Sequence, residues 1–99
     1  MKKFLKLKEN SNGYTHIDAH TGYDKNKKHY YLMLAPVKYD EKSGFITVEL
    51  YKDVKIISLL DVKRASNGAQ AQAEKIAIDD FEIYLHHLLR CKNLMLEEN

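Results

Sequence analysis

The chain reads as one α+β domain: an antiparallel sheet of four or five strands, largely a meander, followed by a C-terminal amphipathic helix packed on one face. Three observations predict this. Residues 1–64 are broken into short apolar runs by Asn, Gly, Asp and Ser clusters. Within those runs apolar and polar residues tend to alternate, the period of a half-buried strand. After Gly68 there is no glycine or proline, and the apolar period lengthens to that of a helix.

The elements follow in order. "FLKLK" (4–8) is short and alternating. "ENSNG" (9–13) is a turn, its Asn-Gly pair tolerating positive φ. "YTHIDAH" (14–20) is a strand with Tyr14, His16, Asp18 and His20 on one face and Thr15, Ile17 and Ala19 on the other. "TGYDKNKK" (21–28) reads as a polar loop, and "HYYLMLAPVKY" (29–39) as the strongest strand. Pro36 cannot donate to a ladder and is expected at a strand edge or bulge.

"DEKSG" (40–44) is a hairpin loop ending in glycine, and "FITVELY" (45–51) alternates. Lys52-Asp53 is a candidate tight turn, after which "VKIISLLDV" (54–62) is expected to return beside 45–51. Its β-branched residues favour a strand over a short helix.

The helix is expected over residues 66–96, capped by Ser66 or Asn67 with Gln70 at a capping-box spacing. Ala73, Ala77, Phe81, Tyr84, Leu88, Cys91 and Met95 share its main face, widened by Ile78, Leu85, Leu89 and Leu96. A helix from 69 to 95 is about 40 Å long, against about 24 Å for a five-stranded sheet. One end is therefore expected to overhang. A second stripe of Ile76, Ile83 and Leu94 then reads as contact with another chain, a homodimer included. Ile46, Val48, Leu50, Leu32, Leu34, Ile57, Phe81, Leu85 and Leu88 are the expected core.

Size and composition narrow the function. At 99 residues the chain holds one core and little room for an enclosed cleft. No apolar run approaches the ~20 residues of a membrane span. The start "MKKFLKLKENS" lacks a signal-peptide apolar stretch, so a cytoplasmic location is expected. One cysteine excludes an internal disulfide and a cysteine-based zinc framework. Fourteen lysines against two arginines, with many Asn, Ile and Tyr, point to an AT-rich genome such as that of a phage or mobile element. Residues 1–64 carry thirteen Lys/Arg against eight Asp/Glu, and residues 65–99 three against six. The two parts are expected to attract each other and to offer surfaces of opposite sign.

His16-Asp18-His20 is the most metal-like pattern. On a strand, residues two apart are about 6.7 Å apart and residues four apart about 13 Å. Zinc donors must converge to ~2.0–2.2 Å from one ion. His16 and His20 cannot share an ion, so donors from His29, His86 or His87 would be needed. No metal and no cofactor is therefore expected, and a small metal-dependent enzyme ranks last. His87 and Cys91, and Glu82 and His86, are helix neighbours of the ordinary i,i+4 kind. No nucleophile elbow, GxGxxG or GxxxxGK[ST] occurs, and no catalytic residue is assigned.

What remains is "YDKNKKHYY" (23–31), with Lys25, Lys27 and Lys28 among tyrosines. Lysines attract phosphates and aromatic faces stack on unpaired bases. Lys38, Tyr39, Tyr51 and Lys52 are candidates to extend this surface. The expected function is a small non-enzymatic binding protein docking on another macromolecule, a protein partner first. Its contact residues are taken as Lys25, Lys27, Lys28, Tyr30, Tyr51, Ile83 and Leu94. An accessory or inhibitory protein of a phage or mobile element fits the size. A single-stranded nucleic-acid binder is the alternative.

Overall fold

A computed structural model of the chain describes residues 1–9, 11–47, 55–60 and 68–97. Five strands and one helix follow in order: β1 Lys2–Lys6, β2 His16–Asp24, β3 His29–Tyr39, β4 Ile46–Thr47, β5 Lys55–Leu60 and α1 Ala69–Lys92. All strand pairings are antiparallel, and β1, β2 and β3 are successive neighbours. β4 and β5 both pair with β3, at Lys38–Tyr39 and at Tyr30–Leu34 respectively. The sheet is thus four strands wide, and the helix follows it, as the α+β reading requires.

Turn chemistry sets the hairpins. Asn12 and Gly13 hold φ of 56° and 86° between β1 and β2. The Asp24 carboxylate accepts the backbone N–H groups of Asn26 and Lys27, at 2.9 and 3.1 Å, and so closes the four-residue turn 25–28. This is the local side-chain bond that makes Asp a turn residue. Asp40 does the same for Lys42 at 2.9 Å, and Gly44 completes that loop at φ 76°.

Three expectations about the sheet change. Residues 21–24 are not loop: Thr21, Gly22, Tyr23 and Asp24 pair with Leu32, Tyr31, Tyr30 and His29. Long-range pairing with β3 overrides their turn-like composition. β5 does not return beside β4; it lies against β3, whose 11 residues are long enough to serve both strands. Ile46 is 46% exposed rather than core; it pairs with Tyr39, the last residue of β3. Val48 and Leu50, and the turn at Lys52-Asp53, lie outside the described residues. Pro36 is buried within β3, between the stretches that pair β5 and β4.

The core lies between one sheet face and the helix. Ile17, Ala19, Leu32 and Leu34 from the sheet meet Phe81, Leu85, Leu88 and Leu89 from α1, with Ile57 partly buried against them. Ala69, Ala73 and Ala77 are the buried residues of the first half of α1. Small side chains let that half approach Tyr30, which packs on Ala69 and Ala73. The Lys3 ammonium lies 4.5 Å from the centre of the Phe81 ring.

The buried stripe of α1 runs in steps of four through 69, 73, 77, 81, 85 and 89. Cys91, expected on the apolar face, is consequently exposed, its Sγ 3.5 Å from His87 Nε2. Ile78 is 59% exposed for the same reason, and Met95, beyond the end of the helix, is 60% exposed. The helix begins after Gly68, which has no side-chain cap; Ser66 and Asn67 lie outside the described residues.

The helix does not run on to residue 96. Asn93 turns left-handed at φ 54°, and Leu94 N–H bonds back to Leu89 O at 2.8 Å. This Schellman-type closure sends residues 94–97 back along β1. Lys8 N–H donates to Met95 O and Glu97 N–H to Lys6 O, at 2.8 and 3.0 Å. Leu94, expected to meet another chain, is instead 5% exposed in the protein's own core. No described helix is long and apolar enough to cross a membrane.

Among the described residues, two ion pairs join the basic and acidic parts of the chain. The Met1 ammonium meets Glu74, which also accepts the Thr21 hydroxyl. Lys6 meets Glu97 at 3.5 Å.

Candidate functional site

The helix covers one face of the sheet, and the strand period places the other set of side chains away from it. Register aligns these into rows. Phe4, Asp18 and Ala35 form one row, and Lys2, His20, Met33 and Ile56 the next. Gly22 with Tyr31, then Asp24 with His29, complete the face toward the lysine turn.

At one end of this face three rings pack together. The Phe4 and His16 rings stack with centroids 4.4 Å apart and an interplanar angle of 7°. Tyr39 meets both edge-on, at 5.3 and 5.4 Å. His16 is only 7% exposed, although it shares its strand face with the polar Asp18 and His20. Phe4 and Tyr39 cover it, and its Nδ1 lies 2.8 Å from the Thr15 hydroxyl. Burial holds the imidazole below its ordinary pKa, Lys6 adding to this and Glu41 opposing it. Phe4 itself remains 40% exposed.

At the other end Tyr31 lies across Gly22. A Cβ at position 22 would sit 2.4 Å from the Tyr31 hydroxyl oxygen and 2.5 Å from Cζ. Glycine at this position therefore makes room for a ring laid over the neighbouring strand. His29 meets Tyr31 edge-on at 6.5 Å. An open groove here is lined by Tyr23, Lys27, His29, Tyr31, Met33 and Ile56. Asp24 borders it too, its carboxyl held below the usual range chiefly by the Lys27 N–H bond, with His29 and Lys27 adding favourable charge.

The sequence-chosen contact residues separate in space. Lys25, Lys27 and Lys28 are all exposed on the turn beside this groove. Tyr30 is not with them: it points to the helix side and is 5% exposed, packed with Tyr23. The alternation of Leu32 and Leu34 inward carries this signal, since it places Tyr30 inward and Tyr31 outward. Ile83 is 66% exposed on the outer side of the helix, remote in the layer order from the lysine turn. Leu94 belongs to the core, and Tyr51 lies outside the described residues. Tyr39 lies at the far end of the open face rather than extending the lysine surface.

Phe4, Met33 and Ile56 lie on this face and were passed over by sequence reasoning, which named Tyr31 only as one of the tyrosines around the lysines and His29 only as a possible metal donor. Phe4 alternates with Leu5 and Leu7, which is the pattern that turns it outward. Among the described residues no three His, Cys, Asp or Glu side chains converge as metal ligands. Glu82 and His86 form the expected surface pair at 3.4 Å.

No family model matches the chain, and no characterised protein or solved structure compared with it matches either.

Proposed function

We propose that the protein is a non-enzymatic binding protein that docks on another macromolecule through the uncovered face of its sheet. One observation carries this reading. The face opposite the helix holds rings and apolar side chains in register, with Phe4 40% and Ile56 62% exposed. A row of lysines borders it on the 25–28 turn. Grouped exposed apolar and aromatic side chains with a polar rim are what macromolecular contact surfaces are made of. The small size and lysine-rich composition fit an accessory or inhibitory protein of a phage or mobile element.

The test is capture of the tagged chain from its native cell, with and without nuclease. Three forms are compared: the natural sequence, Phe4→Ser combined with Ile56→Ser, and Ile83→Ser on the helix exterior. The expected result is loss of the partner with the sheet-face pair and retention with Ile83→Ser. Retention with the pair and loss with Ile83→Ser would place docking on the helix and refute the reading. Sedimentation of the same forms over a range of concentrations shows whether a second copy occupies the face.

A further inference from the structure

The groove beside the 25–28 turn combines two recognition chemistries. Lys25, Lys27 and Lys28 are exposed cations on one tight turn. Directly behind them Tyr31 is laid across Gly22, so the ring extends along the sheet instead of standing on end. His29 buttresses it edge-on. The wider face adds Lys2 and Lys6 on β1, both exposed. Its strands contribute the carboxylates Asp18 and Asp24, and Asp24 is already engaged by two backbone N–H groups; Glu97, paired with Lys6, and Glu41 lie at the His16 end, away from the lysine turn. The opposite layer is mixed, with Asp79 and Glu82 exposed on α1 together with Lys75 and Arg90. Positive charge is concentrated on the turn 25–28, at the end of the face where Tyr31 and Lys27 line the groove.

An acidic protein surface would satisfy the lysines, but it has no need of a ring reaching across the neighbouring strand. A single nucleic-acid strand uses both: phosphates meet the lysines, and an unpaired base stacks on the exposed π-face. A duplex presents its bases only edge-on and leaves the ring without a partner. Phe4, raised by its stack on His16, offers a second ring on the same face. From the strand spacings it stands about 16 Å from Tyr31, a distance that an extended strand of a few nucleotides spans.

We propose that this face binds single-stranded nucleic acid, with Lys25, Lys27 and Lys28 on the phosphates and Tyr31 stacking on a base. The inference rests on the docking reading above and names its partner.

The test uses the full chain and a labelled oligothymidylate of about 15 nucleotides, the scale of a single-strand site. Anisotropy is followed over a salt series, with oligouridylate and a duplex of equal length as competitors. The expected result is binding that weakens with salt and is competed by either single strand better than by the duplex. Lys25→Glu, Lys27→Glu and Lys28→Glu together should flatten the log–log salt slope by about 2, near 0.7 for each phosphate left without its lysine. Tyr31→Ala should weaken binding by between about fivefold and a hundredfold, as loss of one stacked base does. Tyr31→Phe keeps the π-face and should bind within about twofold of the natural sequence, which separates stacking from loss of folding.

Absence of binding at low salt overturns the proposal. So does binding indifferent to the lysine changes, or equal competition by the duplex. If the oligonucleotide fails while nuclease-resistant capture still depends on Phe4 and Ile56, docking stands and its partner is a protein. If both fail, the docking reading falls as well.

Discussion

Replacing Gly22 by alanine places a methyl group where the phenol of Tyr31 now lies. The new Cβ would meet the hydroxyl oxygen at 2.4 Å, Cζ at 2.5 Å and Cε1 at 3.1 Å. Two effects oppose each other. Alanine is favoured over glycine inside a strand by roughly 0.5–1 kcal/mol. Displacing the ring costs about 1–2 kcal/mol, the lower part of the overpacking range, because Tyr31 is half-buried and its far end can swing outward. Gly22→Ala should therefore destabilise by up to about 1.5 kcal/mol in the natural background. With Tyr31→Ala the obstruction is gone, and the same substitution should stabilise by roughly 0.5–1 kcal/mol. Urea unfolding of the four proteins measures the cycle. With m near 1–3 kcal/mol/M for a small domain, the shifts are fractions of a molar in midpoint and well resolved. A coupling below about 0.3 kcal/mol, the level at which independent sites add, would mean that the ring does not lie over Gly22. The stacking platform would then lose its geometric basis.

Phe81→Ala should cost about 3–5 kcal/mol, since the side chain is 1% exposed and packed between α1 and the sheet. Against a total of about 5–15 kcal/mol, thermal unfolding should show a large fall in midpoint. His16 has a lowered pKa when folded, so the unfolded chain binds the proton first. Stability should be full above the unfolded value of about 6.5 and fall as pH drops from there toward the folded value. His16→Phe should remove that slope in unfolding free energy measured against pH. Burial raises the Glu74 pKa, but hydrogen bonds from the Met1 ammonium and Thr21 outweigh it and leave the carboxyl lowered. Its contribution is present above the unfolded carboxylate value of about 4.3 and is lost as pH falls through the folded one. Glu74→Gln should flatten this acid limb in the same measurement.

Part of the candidate site was legible in the chain. The turn at 25–28 and its three exposed lysines follow from Asp24 and the local polarity, both properties of adjacent residues. The choice between Tyr30 and Tyr31 depended on strand phase, which Leu32 and Leu34 already carried. The role of Gly22 was not legible. A glycine in a polar stretch reads as loop, and only its pairing with Tyr31 reveals that it is the floor under a ring. The burial of His16 was hidden for a related reason. Its cover comes from Phe4 and Tyr39, twelve and twenty-three residues away along the chain.

By itself the sequence determined the elements whose causes are local. The alternation of 14–20, the positive-φ turns at Asn12-Gly13 and Gly44, and the helix after Gly68 all arise from neighbours within a few residues. The tertiary structure decided what depends on competition between distant surfaces. β3 is long enough to take both β4 and β5 along one edge, so β5 pairs there and not with its predecessor. The helix rotates to bury the 69–73–77–81–85–89 line, which leaves Cys91 and Ile78 in solvent. Leu94 is buried in the core cluster with Leu7 and Leu89, and the chain turns back at Asn93. Local periodicity states which faces are apolar; only packing in three dimensions states which of them finds a cover, and here the sheet face bearing Phe4 and Tyr31 is the one the helix leaves open.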